Sequence, residues 1–268
     1  MRKIIATILV LLLLAVVIGI AIYTYISTGT LSTDNVTKLI FVLISVVIAL
    51  ARIHSGGQRG RRSLSAYENL YPDELRGAFA NDRKKKNMLL SAIRYYNEDN
   101  MKAAIKIIEK LKPKCQARRD KAVCHFFAAL FYSDVNCYEI AIREYTESIA
   151  CDRTNHIAYN NMGLCYNKIG RAEDAVDCYL KSIELKPDYA HAHNNLGIVY
   201  RELGEYDKAI ECGENALRYN SKMYQASTLL SIVYKIKGDE EASKKYYNMA
   251  VGTGQNAKSL QDALNNVQ

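Results

Sequence analysis

The sequence predicts an all-α protein: a solenoid of helical hairpins preceded by a two-helix transmembrane hairpin. Three observations lead there. From His156 to Met223 the chain repeats itself at a spacing of 34 residues, and a fixed period of this order marks stacked supersecondary units. Within each unit small and apolar residues fall at i, i+3, i+4 and i+7, which is one face of a helix. Ahead of the repeats, Ile4 to Ile26 is a run of 23 residues without a charge, long enough to cross a bilayer.

At the start of the chain Arg2 and Lys3 precede that run. A cleaved signal peptide has an apolar core of about 7–15 residues and a small-residue cleavage site. This run is longer, and Tyr23-Thr24-Tyr25-Ile26 offers no such site, so an uncleaved anchor is expected. Ser27 to Thr37 is a short polar turn. Leu39–Ala51 then gives 13 uncharged residues between Lys38 and Arg52. Snorkelling of those two cations extends the second span to residues 36–53, with a re-entrant or interfacial segment as the alternative. The hairpin thus occupies residues 1–53, with spans at 4–26 and 36–53. Arg2 and Lys3 on one flank, with Arg52, Arg59, Arg61 and Arg62 on the other, put both ends in the cytoplasm. Small size and this orientation suit a multi-pass protein of a bacterial cell membrane. Residues 54–84 read as a basic linker and a pre-repeat helix opening at Tyr71-Pro72-Asp73-Glu74. The linker arginines, with Arg52, are drawn to anionic lipid at about 1 kcal/mol per charge.

In the best unit Tyr159, Met162, Gly163 and Tyr166 make the first helix face, and Gly170 ends the helix by taking a left-handed C-cap. Ala175, Tyr179, Ser182 and Ile183 make the second, and Pro187 stops that helix from running on. His193, Leu196, Gly197, Tyr200, Gly204, Ala209 and Leu217 repeat the theme. Looser units carry Tyr132, Ala141, Tyr145 and Ile149 before it, and Leu230, Tyr234, Gly238, Tyr247 and Val251 after it. Ala129 and Ser231 stand there in the place of glycine. A degenerate unit runs through Ala92, Tyr95, Ala104 and Ile108. On these residues the chain resembles the tetratricopeptide repeat (TPR) family over roughly residues 85–252. Its units fall at about 85–118, 122–155, 156–189, 190–223 and 224–252. Gly213 departs from the family pattern, where a bulky aromatic is usual; it leaves either a gap or a closer helix contact. Residues 255–268 are expected to hold a helix, Ala257–Val267, that caps the last repeat.

Charge narrows the function. Residues 1–121 hold 21 Lys and Arg against 9 Asp and Glu, whereas 122–268 hold 15 against 19. The repeats are mildly acidic, which argues against nucleic acid as their partner, because phosphate backbones need a cationic footing. Seven cysteines without a CxxC pair read as reduced, packed thiols. No catalytic or phosphate-binding motif occurs, and His191 and His193 sit two apart, on different faces of a helix. No enzyme activity, metal or cofactor is expected.

What remains is a surface. The first helix of each unit has a second stripe: Ile157, Asn160, Asn161, Leu164 and Lys168, then His191, Asn194, Asn195, Ile198 and Arg201. One unit earlier the stripe is apolar, with Val123, Phe126, Phe127 and Leu130; one unit later it holds Thr228 and Lys235. The resemblance implies that this stripe lines a concave groove, running from an aromatic pocket across an asparagine row. An asparagine amide both donates and accepts, which matches the backbone of an extended peptide. Chaperone-binding members clamp a terminal carboxylate with cations; here Phe126 and His191 stand in those places, so the resemblance stops short of that clamp. The expected protein is a membrane-anchored adaptor holding a partner protein or peptide. Its rivals are a structural subunit that oligomerises through the solenoid, and an enzyme using a cysteine.

Overall fold

The computed structural model describes residues 77–266. The two apolar spans, the basic linker with Arg52, Arg59, Arg61 and Arg62, and the helix start at Tyr71 lie outside the described residues. Among the described residues no helix is long and apolar enough to cross a membrane.

Eleven α-helices and no strand make up the described residues. They pair as α1 (Arg83–Asn97) with α2 (Met101–Leu111), and α3 (Arg118–Asp134) with α4 (Tyr138–Cys151). Next come α5 (His156–Lys168) with α6 (Ala172–Leu185), and α7 (Ala190–Glu202) with α8 (Tyr206–Tyr219). The last pair is α9 (Tyr224–Ile236) with α10 (Glu240–Gly252), and a single helix, α11 (Ala257–Asn265), comes after it.

Each hairpin turns on a residue with positive φ: Asn136 at 62°, Gly170 at 79°, Gly204 at 78° and Gly238 at 78°. These are 34 residues apart, and glycine is favoured because the left-handed conformation crowds a Cβ. Asp99, at φ 62°, opens the series 37 residues before Asn136. The three extra residues are taken up in a 3₁₀ turn, Lys112–Lys114, with Pro113 inside it.

Where the two helices of a hairpin cross, both carry a small buried residue. The pairs are Ala92 with Ala104, Ala129 with Ala141, Gly163 with Ala175, Gly197 with Ala209, and Ser231 with Ser243. In the last pair each hydroxyl donates to the other's backbone carbonyl at 2.9 Å, so serine replaces glycine with no polar group left unsatisfied. A second tie recurs at the period: Ser148 Oγ donates to Ala122 O and Ser182 Oγ to His156 O, each at 2.8 Å. Large side chains then fill the volume beside the crossings, with Tyr145, Tyr179, Phe127 and Phe131 almost fully buried. At Gly213 an added Cβ would lie 2.8 Å from Leu230 Cγ; the missing side chain gives a closer helix contact.

The odd-numbered helices from α3 to α11 touch one another in succession, while successive even-numbered helices make no comparable contact. The odd layer is therefore the inner, concave one. Leu260 and Leu264 of α11 pack over Ala250, Ile232 and Tyr247, covering the stripe that the last hairpin would otherwise expose.

The crossings set a steric limit. A Cβ at Gly197 would meet Leu229 Cδ2 at 2.7 Å, Cys212 Cβ at 3.0 Å and the Ala209 carbonyl oxygen at 3.2 Å. Gly197→Ala is expected to cost about 1–3 kcal/mol by overpacking. Gly252, in a helix with nothing within 4 Å of an added Cβ, should gain up to about 1 kcal/mol as alanine. Urea unfolding of the two variants distinguishes them.

Candidate peptide-binding groove

Helices α5 and α7 place four asparagines at the base of the inner layer. Asn194 Nδ2 donates to Asn195 Oδ1 at 3.4 Å, Asn195 Nδ2 to Asn160 Oδ1 at 3.0 Å, and Asn160 Nδ2 to Asn161 Oδ1 at 3.1 Å. The middle bond joins α7 to α5. Asn160 and Asn194 are 5% and 3% exposed, so they lie between the helices and hold the row from behind. Asn161 and Asn195 are half-buried. Asn161 Nδ2 ends the row with no hydrogen-bond partner among the described residues. At the other end Asn194 Oδ1, and beyond it Thr228 Oγ1 of α9, are buried without a partner.

The rest of the stripe spreads out from this row. Leu164 is 39% exposed, and Lys168 is exposed one turn further along α5. Ile198 is half-buried against Leu229 and Val233. Arg201 Nη2 lies 3.5 Å from Glu202, and Lys235 Nζ lies 2.5 Å from Glu240 Oε1. His191 is exposed at the helix start, its ring 5.6 Å from Tyr189, which in turn meets His156 edge-on at 4.8 Å.

Upstream, Phe126 and Phe127 are 3% and 1% exposed. Their rings meet at 90° with centroids 5.6 Å apart, and Phe126 reaches Tyr145 at 5.8 Å. They form the floor of a cavity of about 580 Å³, to which Val123, Arg118, Arg119 and Asn155 contribute. Leu130, half-buried, lies one turn along α3. Both rings are thus buried beneath this cavity rather than open to it. The rim of the cavity, where Arg118 and Arg119 stand with Asp152, was not foreseen. Arg118 reaches it while donating to the Cys151 and Ala150 carbonyls at 2.8 and 3.2 Å, which caps α4. Asn155 reaches it as the N-cap of α5, accepting from Ala158 N. Pairing of adjacent arginines with a downstream cap residue was the only trace in the sequence.

Two further groupings bear on chemistry. Glu144, 5% exposed, accepts from Lys112 Nζ at 2.8 Å and has His125 Nδ1 at 2.8 Å; Lys112 also pairs with Glu109 at 2.9 Å. Burial pushes the Glu144 carboxyl up, but hydrogen bonds from His125 and Lys112 outweigh it and hold the carboxyl below the ordinary glutamate range. Burial also pushes the Cys178 and Cys212 thiols up to about 12, so both are protonated and unreactive at neutral pH. Cys115 Sγ and Cys124 Sγ sit 3.1 Å apart in the core. Among the described residues no three His, Cys, Asp or Glu side chains gather as a metal site.

Stacked hairpins with a lined inner face define a helical-repeat scaffold. Residues 154–258 carry tetratricopeptide repeats: profiles of that family match residues 154–222 and 194–258. No curated protein matches the chain. Among solved structures it is similar to MamA, at 24% identity over 60% of this chain and 93% of that one, with TM-score 0.55. It is also similar to PilF of Pseudomonas aeruginosa, at 22% identity over 69% and 84% with TM-score 0.61. A thermophilic TPR protein of Thermus thermophilus is a third, at 18% identity over 68% and 98% with TM-score 0.54. At these identities the likeness shows the fold.

Two measurements test the geometry. Asn195→Ala removes two bonds, to the buried Asn160 Oδ1 and from the buried Asn194 Nδ2, and is expected to cost about 1–3 kcal/mol, more than Asn161→Ala, which removes one; urea midpoints give the order. A carboxyl whose pKa is lowered by folding adds stability above its unfolded pKa, and that stability is lost as pH falls through the folded value. Glu144→Gln should therefore be less stable at pH 7, by about 2 kcal/mol, and should lose less stability than the parent below about pH 4.5.

Proposed function

We propose that this protein is a membrane-tethered, non-catalytic adaptor that holds an extended segment of a partner protein in its inner groove. The observation that carries the reading is the asparagine row. It is built from the backs of α5 and α7, and it ends in a donor amide, Asn161 Nδ2, next to the exposed Leu164. A peptide carbonyl would accept from that amide while an apolar side chain covers Leu164, and the Phe126–Phe127 cavity would take a further side chain upstream. The tether rests on the uncharged runs Ile4–Ile26 and Leu39–Ala51 and on the arginines that flank them. Those flanks favour a cytoplasmic solenoid in a multi-pass protein of the cell membrane.

A photo-reactive residue at position 164, on the inner layer, is compared in native membranes with one at position 180. Leu180 is 46% exposed but lies on α6, in the outer layer. The expected result is a discrete crosslinked partner from 164 and none from 180, with the yield reduced about fivefold by Asn161→Ala, as for one lost hydrogen bond. Equal labelling at the two positions would remove the groove from the account.

A further inference from the structure

The first hairpin carries a charge that the others do not share. Residues 77–117 hold 10 Lys and Arg against 4 Asp and Glu, and residues 118–268 as a whole are net acidic. Much of that excess is gathered in one place. Arg83 and Lys84 of α1 and Lys110 of α2 rim an open depression of about 640 Å³ floored by Met88 and Ile107. Lys114 reaches over the same floor, its Nζ 4.0 Å from Met88 Sδ. Lys106 and Lys102 extend the row back from Lys110 at four-residue steps along α2, and both are exposed.

Neighbouring cations have partners: Lys85 pairs with Asp82 at 3.1 Å, and Lys112 with Glu109 and Glu144. Arg83, Lys84, Lys110 and Lys114 have no carboxylate partner among the described residues. Like charges held around one hollow repel one another until a counter-charge arrives. Because the hollow is half apolar at its base, the matching chemistry is an anion joined to a hydrocarbon.

We propose that this face docks on an anionic phospholipid bilayer, with phosphate groups on the rim and lipid glycerol and upper chain over Met88 and Ile107. An acidic peptide would satisfy the rim, but it offers nothing fitted to the floor. Distance along the chain also favours lipid. Only residues 52–82 separate the second uncharged run from α1, which is at most about 110 Å fully extended. The basic hairpin is thus the first part of the solenoid to follow the uncharged runs; in this the inference rests on the tether proposed above.

The test uses the full chain in nanodiscs of phosphatidylcholine, with and without phosphatidylserine, and follows amide hydrogen exchange in α1 and α2 against α9 and α10. Exchange in α1 and α2 should slow only on the discs containing phosphatidylserine. High salt should reverse the effect. Lys84→Gln with Lys110→Gln and Lys114→Gln should weaken it about fivefold per charge removed, on the order of a hundredfold in all. Identical exchange on both discs overturns the proposal, as does protection that survives in the triple variant. So does equal protection by an added polyglutamate peptide on neutral discs. Retention of the chain on neutral discs through an alkaline wash reports the tether by itself. If retention fails, salt-sensitive flotation of the same chain on phosphatidylserine vesicles still judges the basic face.

Discussion

Five helix crossings with room for only the smallest side chains hold this fold together. Ala92, Ala129, Gly163, Gly197 and Ser231 each meet a small partner, and at Gly163 and Gly197 an added methyl would crowd a carbonyl oxygen of the facing helix. Close approach is what lets Tyr145 and Tyr179 lie flat beside the crossing, and what brings α5 near enough to α7 for one asparagine to reach another. The groove is therefore a product of the crossings. Its residues are placed by glycine and alanine that never touch a ligand.

Much of this was legible in the sequence. The period, the small residues at the crossings and the left-handed glycines at 170, 204 and 238 each report a local steric demand, and local demands leave a local signature. The inner stripe was legible for the same reason, since helical spacing alone decides which residues share a face. What the sequence could not show is how deep in that stripe each residue sits. Asn160 and Asn194 stand beside Asn161 and Asn195 on the same stripe, yet the first two are buried and the second two half-buried. The Lys112–Glu144–His125 cluster was illegible as well. Its members sit on three elements, and nothing in their spacing says that a carboxylate on α4 will close over a lysine just past the end of α2.

The first hairpin shows how a repeat protein absorbs an irregularity. Three residues beyond the period enter between α2 and α3, and the 3₁₀ turn at Lys112–Lys114 takes them without disturbing either crossing. The displaced lysine swings into the next hairpin, where Glu144 and His125 receive it. Charge is buried there at a cost that hydrogen bonds offset only when all partners are present, so the junction tolerates the insertion in one arrangement.

The amides of Asn194, Asn195, Asn160 and Asn161 all point the same way. Turning over any one of them would set oxygen against oxygen or nitrogen against nitrogen, so the row reverses as a whole or not at all. It thus gives the inner wall a heading: one terminus presents hydrogens to whatever lies across it, and the opposite terminus keeps its lone pairs shut away from the opening. A scaffold assembled from nearly equivalent hairpins acquires in this way a direction that its architecture alone does not possess.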